Sequence, residues 1–517
     1  MGFITDKQTL DDLNLIGKYS RNSVFSLFNH TVTRGGERLL EKFFASPLSS
    51  AGDISGRSRL FAFFGSAGIG FPFDRDEFQR AEDYFSNPDA ALFVVSAFGN
   101  FRRKAMHLVA NEQEFVLHKE GFEAGVLFLK RLAEFALSVE NALQRVEVAG
   151  AGVGGAAGAG VGAGEGAGDV GGAAGAGVGA GDSVGGAAGD GGAGVFSAEL
   201  EKISAFLKQR EIVELLRVTA GSGSGVSGSS GRSGGLLSFM QFCRYDHLLR
   251  HTFSAQLMDL VKLMHEVDLY ISVGQYGASR GFCYASCRDV AGEGRFFSVS
   301  AKGLFHPALE NAVANDICLD SACNLFFLTG ANMAGKSTLM KAFSIAVYLA
   351  HMGFPVPCSA MDLVVMEGLY TSINVPDDLN LGYSHFYAEV MRVKMIADAV
   401  AHGRRLVVVF DEMFKGTNVK DAYDATVCVS EAFALHGESA FVVSTHIMEA
   451  GVELGQRCGG VQFWYLPSLL REGSPSYSYR LESGVSDDRF GMTIVNNERI
   501  VEIIKNSPFY EDVYVDA

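Results

Sequence analysis

Positive charge is in short supply in this chain: 43 Lys and Arg stand against 59 Asp and Glu in 517 residues, a formal net charge of -16. Nucleic-acid phosphates are held mainly by Lys and Arg, so this balance excludes a global attraction for DNA and leaves room only for a local basic patch. The one compact candidate is FRRKAMH, 101 to 107, which reads equally well as a solvated helix face. A signal peptide is missing from the amino terminus, as is a long uncharged apolar helix, and this points to the cytoplasm and away from a membrane. The hydrophobic fraction of 48% is inflated by residues 148 to 195, nearly all Gly, Ala and Val and broken by Glu165, Asp169, Asp182 and Asp190. Glycine gives little side chain to bury and much backbone entropy to lose, so a flexible acidic insertion is expected there. A second flexible piece is expected at 220 to 235, AGSGSGVSGSSGRSGG. Metal-ligand spacing is lacking too. Eight cysteines are scattered, and although Cys283 and Cys287, four apart, would share one face if their segment were helical, no further partners at zinc spacing accompany them, which leaves reduced, mostly structural thiols.

What is present begins at FFLTGANMAGKSTLM, 326 to 340. Gly330, Gly335, Lys336 and Ser337 fit G-x-x-x-x-G-K-[ST]. The glycines let consecutive N–H groups curl around a phosphate, the lysine neutralises the outer phosphates and the hydroxyl of Ser337 ligates magnesium. An apolar strand precedes the turn at 325 to 328, and a helix starting near Thr338 adds the positive end of its dipole. A second buried strand, 405 to 410, delivers Asp411 and Glu412 to the sheet edge where α/β proteins bind ligands. The first acid suits magnesium and the second suits activation of a water molecule. A third run, 439 to 444, leads to Thr445 and His446, the histidine being placed to sense a terminal phosphate. Between the two glycine-rich segments, Leu200, Ile203, Phe206 and Leu207 recur at helical spacing.

These stretches together resemble the MutS family. GANMAGKST, 330 to 338, is similar to its loop, with Ala331, Asn332, Met333, Ala334 and Thr338 completing the phosphate-binding set. DEMFKGTNVKDA, 411 to 422, resembles its acidic strand end, with Gly416, Thr417 and Asp421 following. DDLNLGYSHFYAE, 377 to 389, resembles its Ser-x-Phe-x-x-Glu signature in Ser384, Phe386 and Glu389, and STH, 444 to 446, stands where the family has Ala-Thr-His. Residues 9 to 50 are similar to the start of the family's core domain, GLFHPALE at 303 to 310 to the approach to its ATPase, and 477 to 495 to the segment leading into its dimerising tail.

The resemblance implies a multidomain architecture. An α-helical core and lever region is expected over 1–285, followed by an α/β P-loop ATPase of the ABC type over 286–517 with a dimerising tail. The family's amino-terminal mismatch-reading and connector domains have no counterpart, so a reduced relative is expected. The aromatic residue that stacks on adenine in relatives is absent from NAVANDICLD, 311 to 320. Implied function is an ATP- and Mg2+-dependent homodimer that binds DNA, mismatched or branched, in repair or recombination. Ser337 and Asp411 hold the metal, Glu412 activates water, His446 reads the γ-phosphate and Ser384 reaches the nucleotide of the opposing subunit. The alternative is a nucleotide-switched protein-interaction module without DNA binding, favoured by the acidic balance.

Overall fold

The computed structural model describes residues 2–17, 23–87, 92–110, 113–153, 194, 196–220, 237–290, 296–331, 333–373, 385–471, 474–486 and 499–505. Most of both expected glycine-rich insertions lies outside these residues, as do Asn332, Ser384 and most of the expected dimerising tail. The protein is a mixed helix and sheet structure that divides into two compact units. One comprises Met1–His30, Arg38–Phe61 and Ser272–Ala517; the other comprises Thr31–Glu37 and Ala62–Ile271. This differs from a single break at residue 285, because two amino-terminal segments join the sheet-bearing unit.

That unit is organised by a six-stranded sheet. Its strands are β1 (Leu325–Thr329), β2 (Gly368–Ser372), β3 (Leu406–Asp411), β4 (Ala440–Ser444), β5 (Val461–Tyr465) and β6 (Glu482–Ser483), in spatial order β6-β5-β1-β4-β3-β2. All neighbours run parallel except β5 and β6. The sequences LFFLT, LVVVFD and AFVVS explain the central position of β1, β3 and β4: they are apolar at successive residues rather than alternate ones, and every residue but Asp411 is buried. Such strands require cover on both faces. On one face Phe327, Val408, Phe410, Phe441 and Val443 pack with Ile396 and Val400 of helix α2 (His385–Ala401), Phe433 of α3 (Val419–Ala434) and Ala450 and Leu454 of α4 (Met448–Arg457). Helix α1 (Lys336–His351) follows β1 and is buried from Ala342 to His351.

The amino terminus reaches this sheet by backbone pairing. Ile4 bridges Gly368 in parallel, Ile4 N–H donates to Glu367 O at 2.8 Å and Leu369 N–H donates to Ile4 O at 2.9 Å. Gly368 is required there, since a Cβ would lie 2.5 Å from Ile4 O. Asp12 accepts from the Thr371 hydroxyl at 2.7 Å and from Ile373 N–H at 3.0 Å, while Arg392 of α2 forms an ion pair with Asp6 and donates to Thr371 O at 2.6 Å. Thus the edge of β2 is covered, which removes an unpaired strand edge.

At the end of α1, His351 is fully buried; its Nδ1–H donates to Val347 O at 2.8 Å and its Nε2 accepts from Met366 N–H at 3.1 Å. Both nitrogens are occupied by a neutral ring. Burial depresses the pKa to about 4, against a small opposing effect of the backbone contacts. The unfolded chain therefore takes up a proton first on acidification. The contribution of this histidine is fully present above the ordinary 6.5 and is lost as pH falls toward 4, amounting to about 3 kcal/mol. Melting temperature measured across that window should fall in the wild-type protein and fall less steeply in His351→Gln.

The second unit is helical. Arg75–Ser86 and the forty-residue helix Glu114–Val153 pack around Phe73, Phe78, Phe85 and Phe128, with Phe73 and Phe128 stacked at 4.9 Å. Ser197–Leu207 buries Ile203 and Phe206, as its spacing predicts. Buried Asp246 accepts from Tyr84 Oη at 2.6 Å and Asn100 Nδ2 at 2.8 Å, and lies 3.0 Å from His118 Nε2. Burial pushes its carboxyl up, but the hydrogen bonds from His118, Tyr84 and Asn100 prevail and hold it below the usual range.

Candidate functional site

The turn from β1 into α1 spans Gly330 to Gly335. Gly330 and Gly335 have φ of 143° and 101°, conformations that favour glycine, and a Cβ on Gly330 would approach Leu466 O at 3.1 Å. Met333 takes φ 70° with its side chain 78% exposed. Inside the turn, Lys336 is 5% exposed and donates from Nζ to Gly330 O at 2.8 Å and to Ala331 O at 3.1 Å. Burial lowers its pKa, and the carboxylates of Glu412 and Asp411 act in the opposite sense. The ammonium is held inside the turn by two loop carbonyls.

Strand register brings the acids to this turn. Ser444 of β4 is the partner of Asp411 of β3, and β4 lies between β3 and β1. The hydroxyl of Ser337, in the first turn of α1, donates to Asp411 Oδ2, and Ser444 Oγ donates to Asp411 Oδ1 at 2.5 Å. Glu412 Oε1 lies 3.9 Å from Lys336 Nζ and 3.8 Å from His446 Nδ1. Glu412 and Phe414 both take left-handed backbone, at φ 57° and 63°. Two such residues in three, neither of them glycine, are the kind of strain that clusters at working sites.

The signature resembling Ser-x-Phe-x-x-Glu meets the segment after β3. Gly416 approaches so closely that a Cβ would lie 2.8 Å from Phe386 N, and its N–H donates to the buried Glu389 Oε2 at 3.5 Å. Phe386 and Phe414 meet edge to face at 6.2 Å. The residues from Gly330 to Thr338 other than Asn332, together with Asp411, Glu412 and His446, thus converge on one sheet edge, while Phe386 and Glu389 stand behind the acidic turn.

Beside the loop is a cavity of about 330 Å³ lined among others by Phe305, His306, Val313, Met333, Thr338 and Tyr479. Tyr479 is a residue that motif reading missed. It takes φ 56°, its ring stands 3.1 Å from where a Cβ of Gly335 would be, and its carbonyl accepts from Asn315 Nδ2 at 2.9 Å. Leu481 N–H donates to Asn315 Oδ1 at 2.8 Å, so one amide clamps the backbone from Tyr479 to Leu481. Asn315 lies in the stretch where no aromatic is found, yet it holds one from elsewhere. The only signal in the sequence was the tyrosine-rich run 477 to 479. Burial chiefly, and Lys341 secondarily, lower the pKa of His306, and its Nδ1 accepts from Ala308 N–H at 3.3 Å.

Cys283 and Cys287 sit on the short strands Cys283–Tyr284 and Ser286–Arg288, not on one helix, because the helix Ser254–Ser279 has ended and Gly281 turns the chain at φ 67°. Cys283 instead meets Cys358, with the sulfurs 3.6 Å apart. Among the described residues no cluster of three or more His, Cys, Asp or Glu forms a metal site. The basic run 101 to 107 lies on the helix Phe93–Ala110, where Arg103 pairs with Glu114 at 2.8 Å and Lys104 lies over the Phe239 ring at 4.5 Å. Those two charges are already engaged. Among the described residues, no helix is long and apolar enough to cross a membrane.

Fold and site define a mixed helix and sheet protein whose polar chemistry gathers at the carboxyl edge of a parallel sheet. Residues 326–508 match the MutS domain V family, and the likeness to MutS proteins is concentrated in the C-terminal part of the chain. It is 30% identical over 197 residues to the DNA mismatch repair protein MutS of Leuconostoc citreum, covering 37% of this chain and 22% of that protein. Against the protein of the same name from Staphylococcus saprophyticus it is 29% identical over 217 residues, 40% of this chain and 24% of the relative. For Staphylococcus haemolyticus MutS the figures are 24% over 276 residues, 52% and 30%. The chain thus spans less than a third of the length of these relatives.

Proposed function

We propose that the chain is a P-loop ATPase of the ABC type that binds ATP with Mg2+, hydrolyses it and couples the cycle to DNA binding as a homodimer. The observation that carries the reading is the convergence of Lys336, Ser337, Asp411, Glu412 and His446 at one sheet edge. Lys336 exchanges its loop carbonyls for phosphate oxygens, and the N–H groups of the turn and of the first turn of α1 surround the same phosphates. Ser337 and Asp411 offer hard oxygen donors, a set that fits Mg2+, and would hold the ion. Mg2+ held there would supply neutralisation of the phosphates' negative charge. Glu412 accepts the proton of the attacking water, and His446, 3.8 Å from Glu412, contacts the terminal phosphate. Ser384 completes the site of the opposing subunit.

The base occupies the cavity beside Gly335 and stacks on Tyr479. Stacking of a base on an aromatic side chain contributes about 1–3 kcal/mol. Tyr479→Ala should therefore raise the Kd of a fluorescent ATP analogue about 10-fold or more, whereas Tyr479→Phe should not; equal loss in both variants would remove the ring from the base site.

The named relatives are DNA mismatch repair proteins, and this supports a role in DNA repair or recombination on mismatched or branched DNA. The net charge of -16 favours a second reading, a nucleotide-switched module that recruits a protein partner. Anisotropy of labelled homoduplex, mismatched duplex and four-way junction, at fixed near-physiological salt with and without ATP, separates the two. Nucleotide-sensitive binding to the mismatch or junction over homoduplex is expected; binding to none of them would overturn the DNA reading and move the search to protein partners.

A further inference from the structure

Ser444 does two things at once. It is fully buried at the end of β4, and its hydroxyl donates to Asp411 Oδ1 at 2.5 Å while lying 3.3 Å from the N–H of Glu412 as acceptor. Its carbonyl accepts from the same N–H at 3.1 Å. A hydroxyl has one hydrogen to donate, and here it goes to the carboxylate that would hold the metal. The other oxygen of that carboxylate, Oδ2, faces Ser337. With Oδ1 tied to Ser444, the plane of the Asp411 carboxyl is set and Oδ2 is presented toward Ser337 and the phosphate loop. The backbone contacts, meanwhile, hold Glu412 at φ 57°, a conformation a glutamate adopts only when its surroundings over-determine it.

We propose that Ser444 is a positioning residue for the metal and the water-activating acid, aligning the Asp411 carboxylate through its hydroxyl and anchoring the strained backbone of Glu412. This rests on the nucleotide reading above and deepens it. The role follows from strand order. Because β4 runs between β1 and β3 in parallel register, its last residue is the cross-strand partner of Asp411, and its side chain reaches the acidic pair from within the sheet. Alanine at 444 would keep the backbone acceptor for Glu412 and lose the hydroxyl's contacts with Asp411 and with the Glu412 N–H. Threonine would keep both and suits a strand.

Partners that orient a metal ligand typically contribute about 10- to 100-fold to metal affinity. The test compares wild type, Ser444→Ala and Ser444→Thr in three measurements: binding of a fluorescent non-hydrolysable ATP analogue in EDTA, the same binding titrated with Mg2+, and melting temperature. The expected result for Ser444→Ala is an Mg2+ half-saturation raised about 10-fold or more, with EDTA binding and melting little changed and the Mg2+ dependence restored in Ser444→Thr. Turnover at saturating nucleotide should fall with the Mg2+ shift while KM for nucleotide does not. An unchanged Mg2+ dependence in Ser444→Ala would overturn the proposal. So would parallel loss of EDTA binding and melting temperature, which marks a general packing role. Failure of wild type to bind the analogue with or without Mg2+ would instead remove the nucleotide reading, and this proposal with it.

Discussion

Lys336→Ala is expected to raise the Kd for ATP by about 30- to 1,000-fold, the effect of deleting one partner from a buried charge pair, about 2–4 kcal/mol. The size follows from where the ammonium is. Lys336 is 5% exposed and already desolvated, held by Gly330 O and Ala331 O. The cost of removing it from water is therefore met on folding, and phosphate binding gains from a charge poised at the turn. Calorimetric titration with a non-hydrolysable ATP analogue measures it directly. Affinity within a few fold of wild type would show that the turn does not hold phosphate. The variant also separates two roles, because its fold should survive: the lysine contacts are to loop carbonyls that face the ligand.

Glu412→Gln is expected to leave nucleotide binding within a few fold of wild type and to lower turnover about 10²- to 10⁴-fold, the usual contribution of a positioned general base. Glutamine preserves the volume and the left-handed backbone at φ 57°, and keeps an oxygen near Lys336 and His446. What it cannot do is take up a proton from water. Single-turnover phosphate release, measured with ATP prebound, isolates the chemical step; a normal rate would remove Glu412 from catalysis. Asp411 is the control. Its carboxylate is engaged by Ser337 and Ser444, so Asp411→Asn should act through Mg2+ dependence instead.

The elements that carry the site were legible because each is contiguous. The strands read at 325–328, 405–410 and 439–444 are found as Leu325–Thr329, Leu406–Asp411 and Ala440–Ser444. Burial on both faces leaves unbroken apolar runs, and such runs need no partner to be recognised. The helix expected from near Thr338 runs Lys336–His351, and Val393, Ile396, Ala397 and Val400 share the face of α2 that meets the core. The four-residue spacing of Cys283 and Cys287 means one face only if the segment is helical, and the two lie on separate short strands.

Tyr479, Ser444 and the amino-terminal pairing with β2 were not legible for a common reason. Each acts on a group far along the chain: Asn315 bonds Tyr479 across 164 positions, Ser444 bonds Asp411 across 33 and Thr371 bonds Asp12 across 359. Their chemistry depends on strand order and register, and a one-residue slip would turn Ser444 to the opposite face. Composition and contiguous motif decided that this chain builds a parallel sheet with a glycine turn, a lysine and two acids at its edge. The tertiary fold decided which distant side chains complete that edge, since hydrogen bonds reach only about 3 Å and can join remote residues only after the sheet has assembled.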